Sequence, residues 1–301
     1  MIPSKFDYVE AESADAALAA LAEHGDEAKL MAGGHSLIPL MKFRLANPAV
    51  VIDIGRVGDL SYINDAGDHV AIGALTRHRT VETSDLLVSQ VPMLAHVASQ
   101  VGDPAVRHRG TIGGSIAHGD PASDLPAALL ALGGSVMVKG PSGEREIAAA
   151  DLFTGFLETS VGADEMITEI RVPKVPNAGW SYQKFNRRAQ DWAIVGVAAQ
   201  AGENGANGST TVSLVNMGPI PMLAGAVNDA LASGAGIDDA AARAAEGASP
   251  PEDLNGDAEY RTHLAQVLVR RALAQASGQD DGPGRARGGG REKGRGRGPR
   301  R

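Results

Sequence analysis

The chain has 301 residues, 43% hydrophobic and 21% charged, with a net charge of -8; this is the composition of a globular protein able to bury two or three subdomain cores. No stretch approaches the roughly 20 uninterrupted apolar residues of a membrane-spanning helix, and Met1-Ile-Pro-Ser-Lys-Phe-Asp-Tyr lacks the basic-then-apolar pattern of a secretory leader, so a cytoplasmic location is expected. With no Cys, the chain can form neither a disulfide nor a Cys-ligated iron–sulfur cluster.

In chain order, Ser13 to Glu23 predicts a helix, with Ser13 as its cap and Gly25 beyond its end. Lys29 to Ala32 is a short strand, Leu37 to Lys42 a loop or short helix, and Ala49 to Ile54 a buried strand, so residues 1–57 form a βαβ-like α/β subdomain. Residues 58–176 form a middle subdomain: a strand at His69 to Leu75, a helix at Val91 to Val101 and a helix at Ser123 to Leu132. These are followed by a hairpin of Ser135 to Lys139 and Glu144 to Ile147 around Gly140-Pro-Ser-Gly143, and by a strand at Glu165 to Val172. Prolines at 173 and 176 mark the next boundary. Within 177–277, Trp180 to Phe185, Trp192 to Ala201 and Thr210 to Met217 predict antiparallel strands, and helices follow near 222–232, 238–246 and 257–276, an α+β arrangement. From 278 to 301 the chain is Gly, Arg, Asp and Pro with almost no apolar residue, and is expected to be a disordered tail.

Two stretches carry the chemistry: Ala32-Gly33-Gly34-His35-Ser36-Leu37, and Thr111-Ile-Gly113-Gly114-Ser115 about eighty residues later. Each sets a Gly pair after an apolar run and follows it with a Ser, so backbone N–H groups can converge on an anion with no Cβ in the way. Two such turns suit a diphosphate, hence a dinucleotide. Asp124, at the start of the helix after the second turn, can accept hydrogen bonds from sugar or ribityl hydroxyls, or simply cap that helix. Gly pairs also occur as plain turns. Neither a Gly-x-Gly-x-x-Gly nor a P-loop motif is present, which argues against a Rossmann or P-loop nucleotide site. The eight His are scattered without metal-ligand spacing, so no metal is expected, and no acid–base or nucleophile constellation marks a catalytic residue.

The two stretches, read with Ile38-Pro-Leu-Met-Lys42, resemble the FAD-binding subunits of the molybdenum hydroxylases, and most closely the medium subunits of aerobic carbon monoxide dehydrogenases. The resemblance runs from Met1 to about Ser277. It implies a two-subdomain FAD-binding fold of the PCMH/vanillyl-alcohol-oxidase type with FAD in the cleft between the subdomains, followed by a C-terminal sheet and three-helix domain. It implies cofactor-binding roles for Ala32, Gly33, Gly34, His35, Ser36, Leu37, Thr111, Gly113, Gly114, Ser115 and Asp124. Lys184 is implied near the polar edge of the isoalloxazine and Trp192 beside the ring; their plain alternatives are a solvated strand Lys and a core Trp. His118 is either a surface residue or a neighbour of the flavin.

The resemblance also implies non-covalent FAD, although a Gly-Gly-His loop attaches flavin covalently in related flavoproteins. Molybdenum cofactor and 2Fe–2S clusters then belong only to partner subunits: a small iron–sulfur subunit and a large molybdenum-cofactor subunit, in a dimer of heterotrimers. The expected role is to pass electrons from the clusters to a quinone or other acceptor during oxidation of carbon monoxide to carbon dioxide. Alternatives are a related hydroxylase acting on aldehydes, purines or N-heterocycles, a self-contained flavin oxidase, or a non-catalytic dinucleotide-binding regulatory protein. The family lacks a Gly/Arg-rich ending. Such a tail can touch RNA or anionic lipid, compatible with peripheral membrane association, but the expectation is a solvated extension or an altered reading frame, with no nucleic-acid partner.

Overall fold

The computed structural model describes residues 2–202 and 210–279. The tail expected from 278 onward therefore lies, beyond Gln279, outside the described residues.

The first layer is a three-stranded parallel sheet. Val50–Asp53, whose Val-Val-Ile run is buried on both faces, is its centre, flanked by Asp7–Glu10 and Ala28–Met31. Asp7–Glu10 was not among the expected strands, because its Asp-Tyr-Val-Glu shows no clear apolar alternation. The helix Ala14–His24 crosses between the flanking strands and buries Ala14, Ala17 and Leu21; the Ser13 hydroxyl accepts from Ala16 N–H at 3.1 Å, as the cap predicts.

The second layer is a five-stranded antiparallel sheet in the order Ile63–Asp65, His69–Gly73, Met166–Pro173, Ser135–Gly140, Gly143–Ala148. The expected hairpin forms, with Gly140 paired to Gly143. Between His78 and His118 the chain makes five short helices, of which only Pro92–Ser99 matches an expected element. The others are six or seven residues long, too short for helical periodicity to emerge, although Ser84 and Asp103 cap two of them and Pro104 opens one.

The third layer is a four-stranded antiparallel sheet, Trp180–Phe185, Val195–Gln200, Thr211–Val215 and Met222–Leu223. Its second strand begins three residues later than expected. Pairing starts at Phe185 opposite Val195, so Trp192 belongs to the connection between the strands and not to a strand start. Met222–Leu223 pairs with Ser213 and Leu214 instead of joining the next helix, which begins at Gly225. On the outer face lie the helices Gly225–Ala232, Ile237–Ala242 and Ala258–Ala276.

The helix Asp124–Ala131 joins the last two layers. All eight of its residues are buried, and the core around it contains Ile170 and Val136 of the middle sheet together with Ala198 and Val215 of the third. Apart from Asp124 its surface is apolar all round, as a helix enclosed on every side requires. Ser213 Oγ donates to Ala127 O at 2.6 Å, tying the third sheet to this helix. Asp124 thereby sits at a fixed point where the layers meet.

Candidate functional site

A cleft of about 540 Å³ opens where the three layers converge, a size within the usual range of ligand sites. Its walls include Ala32, Gly33, Gly34, His35, Ser36 and Leu37 from the first layer, Thr111, Gly113, Gly114, Ser115, His118 and Asp124 from the second, and Lys184 and Trp192 from the third. Every residue named from the sequence as a cofactor contact is thus brought to one concavity. The third layer enters through Lys184 and Trp192, the two residues of the C-terminal domain expected at the flavin.

The first turn leaves the edge strand Ala28–Met31 and enters the helix Leu37–Lys42. Gly34 has φ +76, and a Cβ there would stand 2.7 Å from Ile38 Cδ1. Gly33 is required for a different reason: a Cβ would collide with the carbonyl oxygen of Arg109. Arg77 donates from its guanidinium to that same carbonyl, and an isolated bridge pairs Arg77 with Thr111. The two Gly turns are consequently locked to each other through Arg109. Among the described residues, the backbone N–H groups of Ala32 to Ser36 donate to no backbone carbonyl outside regular elements, while Ile38 and Leu40 N–H bond back to Gly34 and Ser36 carbonyls. This turn offers a row of unpaired amides at the cleft wall.

The second Gly pair differs from its expectation. It lies inside the first turn of the helix Ile112–His118, capped by Thr111, whose Oγ1 accepts from Gly114 N–H at 3.2 Å. Gly113 N–H donates to Ala74 O at 2.9 Å, and a Gly113 Cβ would lie 2.7 Å from that oxygen. Both amides are already used within the chain: Gly113 allows close packing on Ala74, and Gly114 leaves space for the Thr111 cap. To the cleft wall this segment contributes Thr111, Gly113, Gly114 and Ser115.

Asp124 is likewise committed. Its Oδ2 accepts from Lys184 Nζ at 2.8 Å and its Oδ1 from Tyr182 Oη at 2.5 Å, and Lys184 also donates to Gln100 O at 3.0 Å. The side chains of Asp124 and Lys184 are only 6% and 8% exposed. Burial pushes the Asp124 carboxyl above its ordinary value, opposed by the Lys184 ammonium, and holds the Tyr182 phenol protonated. The expected carboxylate for ligand hydroxyls is therefore the partner of the expected flavin lysine, with lone pairs to spare but no free charge. Tyr182 had no signal in the sequence beyond its place two residues before Lys184.

At the mouth, Trp192 is 58% exposed, which excludes the core reading, and His35 is exposed. His118 is half-buried, and burial lowers its pKa. His78, which the sequence did not single out, lines the cleft and is 4% exposed.

Residues 4–175 match the family described as "FAD binding domain in molybdopterin dehydrogenase", and residues 180–276 match the "CO dehydrogenase flavoprotein C-terminal domain". The carbon monoxide dehydrogenase medium chain of Hydrogenophaga pseudoflava is 39% identical over 282 residues, covering 92% of this chain and 98% of that one. The 6-hydroxypseudooxynicotine dehydrogenase complex subunit alpha of Paenarthrobacter nicotinovorans is 38% identical over 283 residues, covering 92% and 96%. Among solved structures, carbon monoxide dehydrogenase from Hydrogenophaga pseudoflava superposes with a TM-score of 0.88 at 40% identity, over 93% of this chain and 99% of that one. The chain belongs to the flavoprotein-subunit family of the molybdopterin dehydrogenases and carries its FAD-binding domain.

Proposed function

We propose that this flavoprotein subunit is the electron-transfer component of a molybdenum hydroxylase complex, holding FAD non-covalently in the cleft between its three layers. The observation that supports this most is the convergence of the two Gly segments, locked through Arg109, with residues Ala32 to Ser36, whose amides donate to no backbone carbonyl outside regular elements, lining the cleft. Such amides suit a diphosphate. In this reading Ser36 and Ser115 add hydroxyl donors, Leu37 and Trp192 cover apolar ring surface, and the Asp124–Lys184 pair fixes the inner end with one ammonium N–H free to donate. When bound, FAD supplies the exchange between single-electron and two-electron carriers.

Because the chain has no Cys, iron–sulfur clusters would belong to a small partner subunit and the molybdenum cofactor to a large one, arranged as a dimer of heterotrimers in the cytoplasm. Among the described residues no helix is long and apolar enough to cross a membrane. The proposed reaction of the complex converts carbon monoxide and water to carbon dioxide, releasing two protons and two electrons. A quinone-type acceptor would take up both.

Relatives named for carbon monoxide and for a nicotine derivative differ by a single percentage point of identity, so the substrate turns on assay. The purified complex should bleach its flavin absorbance under carbon monoxide; bleaching by an aldehyde, purine or N-heterocycle instead would replace the substrate and leave the flavin role standing. Acid precipitation should release the flavin to the supernatant. A colourless protein that takes up no FAD would favour a non-catalytic nucleotide-binding role, and flavin retained in the pellet would point to attachment at His35.

A further inference from the structure

His78 opens the helix His78–Thr83 and reaches the cleft from the side where the two Gly turns meet. Its backbone N–H donates to Gly110 O at 3.0 Å, and Gly110 leaves room for the ring, since a Cβ there would stand 2.7 Å from Nε2. Gly33 packs on the same Arg109-Gly110 segment. The imidazole and the first turn therefore share the Arg109-Gly110 backbone as a common neighbour and line the same cleft.

The ring is unusual in its hydrogen bonding. Nδ1 is sealed from solvent and has no partner among the described residues, which leaves Nε2 as the nitrogen able to meet a ligand in the cleft. Burial, reinforced by His35, Arg107 and Arg77, lowers the His78 pKa to about 4, so the ring is neutral near pH 7 and carries one proton. An enclosed ring nitrogen without a partner is better tolerated as a bare acceptor than as an orphaned N–H. The proton consequently belongs on Nε2. A Phe or Leu would fill this volume without stranding a polar atom, and a stranded atom in a core calls for an explanation outside the core itself.

We propose that His78 is a ligand-binding residue whose Nε2–H donates a hydrogen bond to a phosphoryl oxygen of the dinucleotide diphosphate held by the Ala32 to Ser36 turn. This rests on the FAD reading above. A neutral donor at this point complements the amides, as both offer N–H groups to an anion without adding a buried charge.

The test is titration of the ligand-free full chain with FAD. His78→Phe should weaken binding about ten- to hundredfold, the range for a hydrogen bond to a charged group. His78→Gln, whose side-chain amide can place an N–H near the position of Nε2, should recover most of it, with the unfolding temperatures of both ligand-free variants close to that of the parent. In the parent chain labelled in its histidine ring nitrogens, FAD should shift the His78 Nε2 resonance while Nδ1 remains unprotonated. FAD binding by His78→Phe within twofold of the parent, failure of His78→Gln to rescue, or a His78 resonance unmoved by FAD would overturn the assignment and leave the FAD reading intact. Failure of the parent to bind FAD would overturn both. If His78→Phe does not fold, the resonance of the parent chain decides.

Discussion

Gly33 rests directly against the carbonyl oxygen of Arg109, in a space that no other residue type could occupy without displacing the backbone of the second turn. The glycine expected to admit a phosphate is thus also what lets the two turns close on each other. Gly33→Ala should destabilise the ligand-free chain by about 1–3 kcal/mol, as overpacking does, as well as lowering its flavin content. Gly114→Ala meets instead the tip of the Thr111 side chain, at 2.7 Å, and should cost about 1 kcal/mol through the weakened cap. Thermal unfolding of the two apoproteins, with flavin-to-protein ratios, checks this. Equal stability of both variants would show that Gly33 answers only to the ligand.

The Asp124–Lys184 pair is buried on both sides, so removing either partner strands the other. Asp124→Asn or Lys184→Met should each cost about 3–5 kcal/mol. The double substitution should cost clearly less than the sum, because neither charge is then left unpaired. Denaturant unfolding of the three variants gives the coupling energy directly, and simple additivity would mean that the pair carries no interaction of its own.

His78 predicts an acid sensitivity of the ligand-free fold. Its folded-state pKa, about 4, lies below the ordinary 6.5, so the unfolded chain binds its proton first. The stability it contributes is complete above pH 6.5 and is lost as pH falls towards 4. The loss is about 3 kcal/mol for a shift of this size. His96 and His118, whose pKa values burial also lowers, act in the same direction. Urea unfolding between pH 7 and 4 should therefore show a falling midpoint, with a shallower fall in His78→Gln. An unchanged slope in that variant would mean that another group carries the acid sensitivity.

Much of the site was legible because its parts are local. Gly33, Gly34, Gly113 and Gly114 announce backbone that must come close to something, and each segment carries its own flanking Ser. What they come close to was not legible. The neighbour of Gly33 is a carbonyl more than seventy residues away, that of Gly113 is Ala74, just past the strand His69–Gly73, and the partner of Asp124 is a lysine on the third sheet. The same limit applies to the fold. Strands with strong apolar runs such as Val50–Asp53 could be read directly, whereas Asp7–Glu10 exists because Val50–Asp53 pairs with it. The short helices before Thr111 are held by the Ser84 and Asp103 caps and by packing on Pro92–Ser99 or, for Pro104–Arg109, on His78–Thr83, and their own sequence periodicity is too brief to reveal them.

Arg261 gives a final prediction, on the wall behind Trp192. Its side chain is fully buried, and its guanidinium donates to Ile194 O, to Asp253 Oδ1 at 2.7 Å and, more weakly, to Gly256 O at 3.4 Å. It thereby fixes the connection that carries Trp192 against the turn Asp253 to Gly256 and the long helix Ala258–Ala276. Arg261→Met retains much of the apolar bulk but leaves the Ile194 carbonyl without this donor and Asp253 without its cation. It should cost about 3 kcal/mol or more. Arg261→Lys should recover little of this, because a compact ammonium cannot span acceptors that the planar, branched guanidinium reaches at once. Urea midpoints for the two variants provide the measurement. A Lys variant as stable as the parent would show that charge alone, and not the guanidinium's shape, holds the Trp192 connection in place.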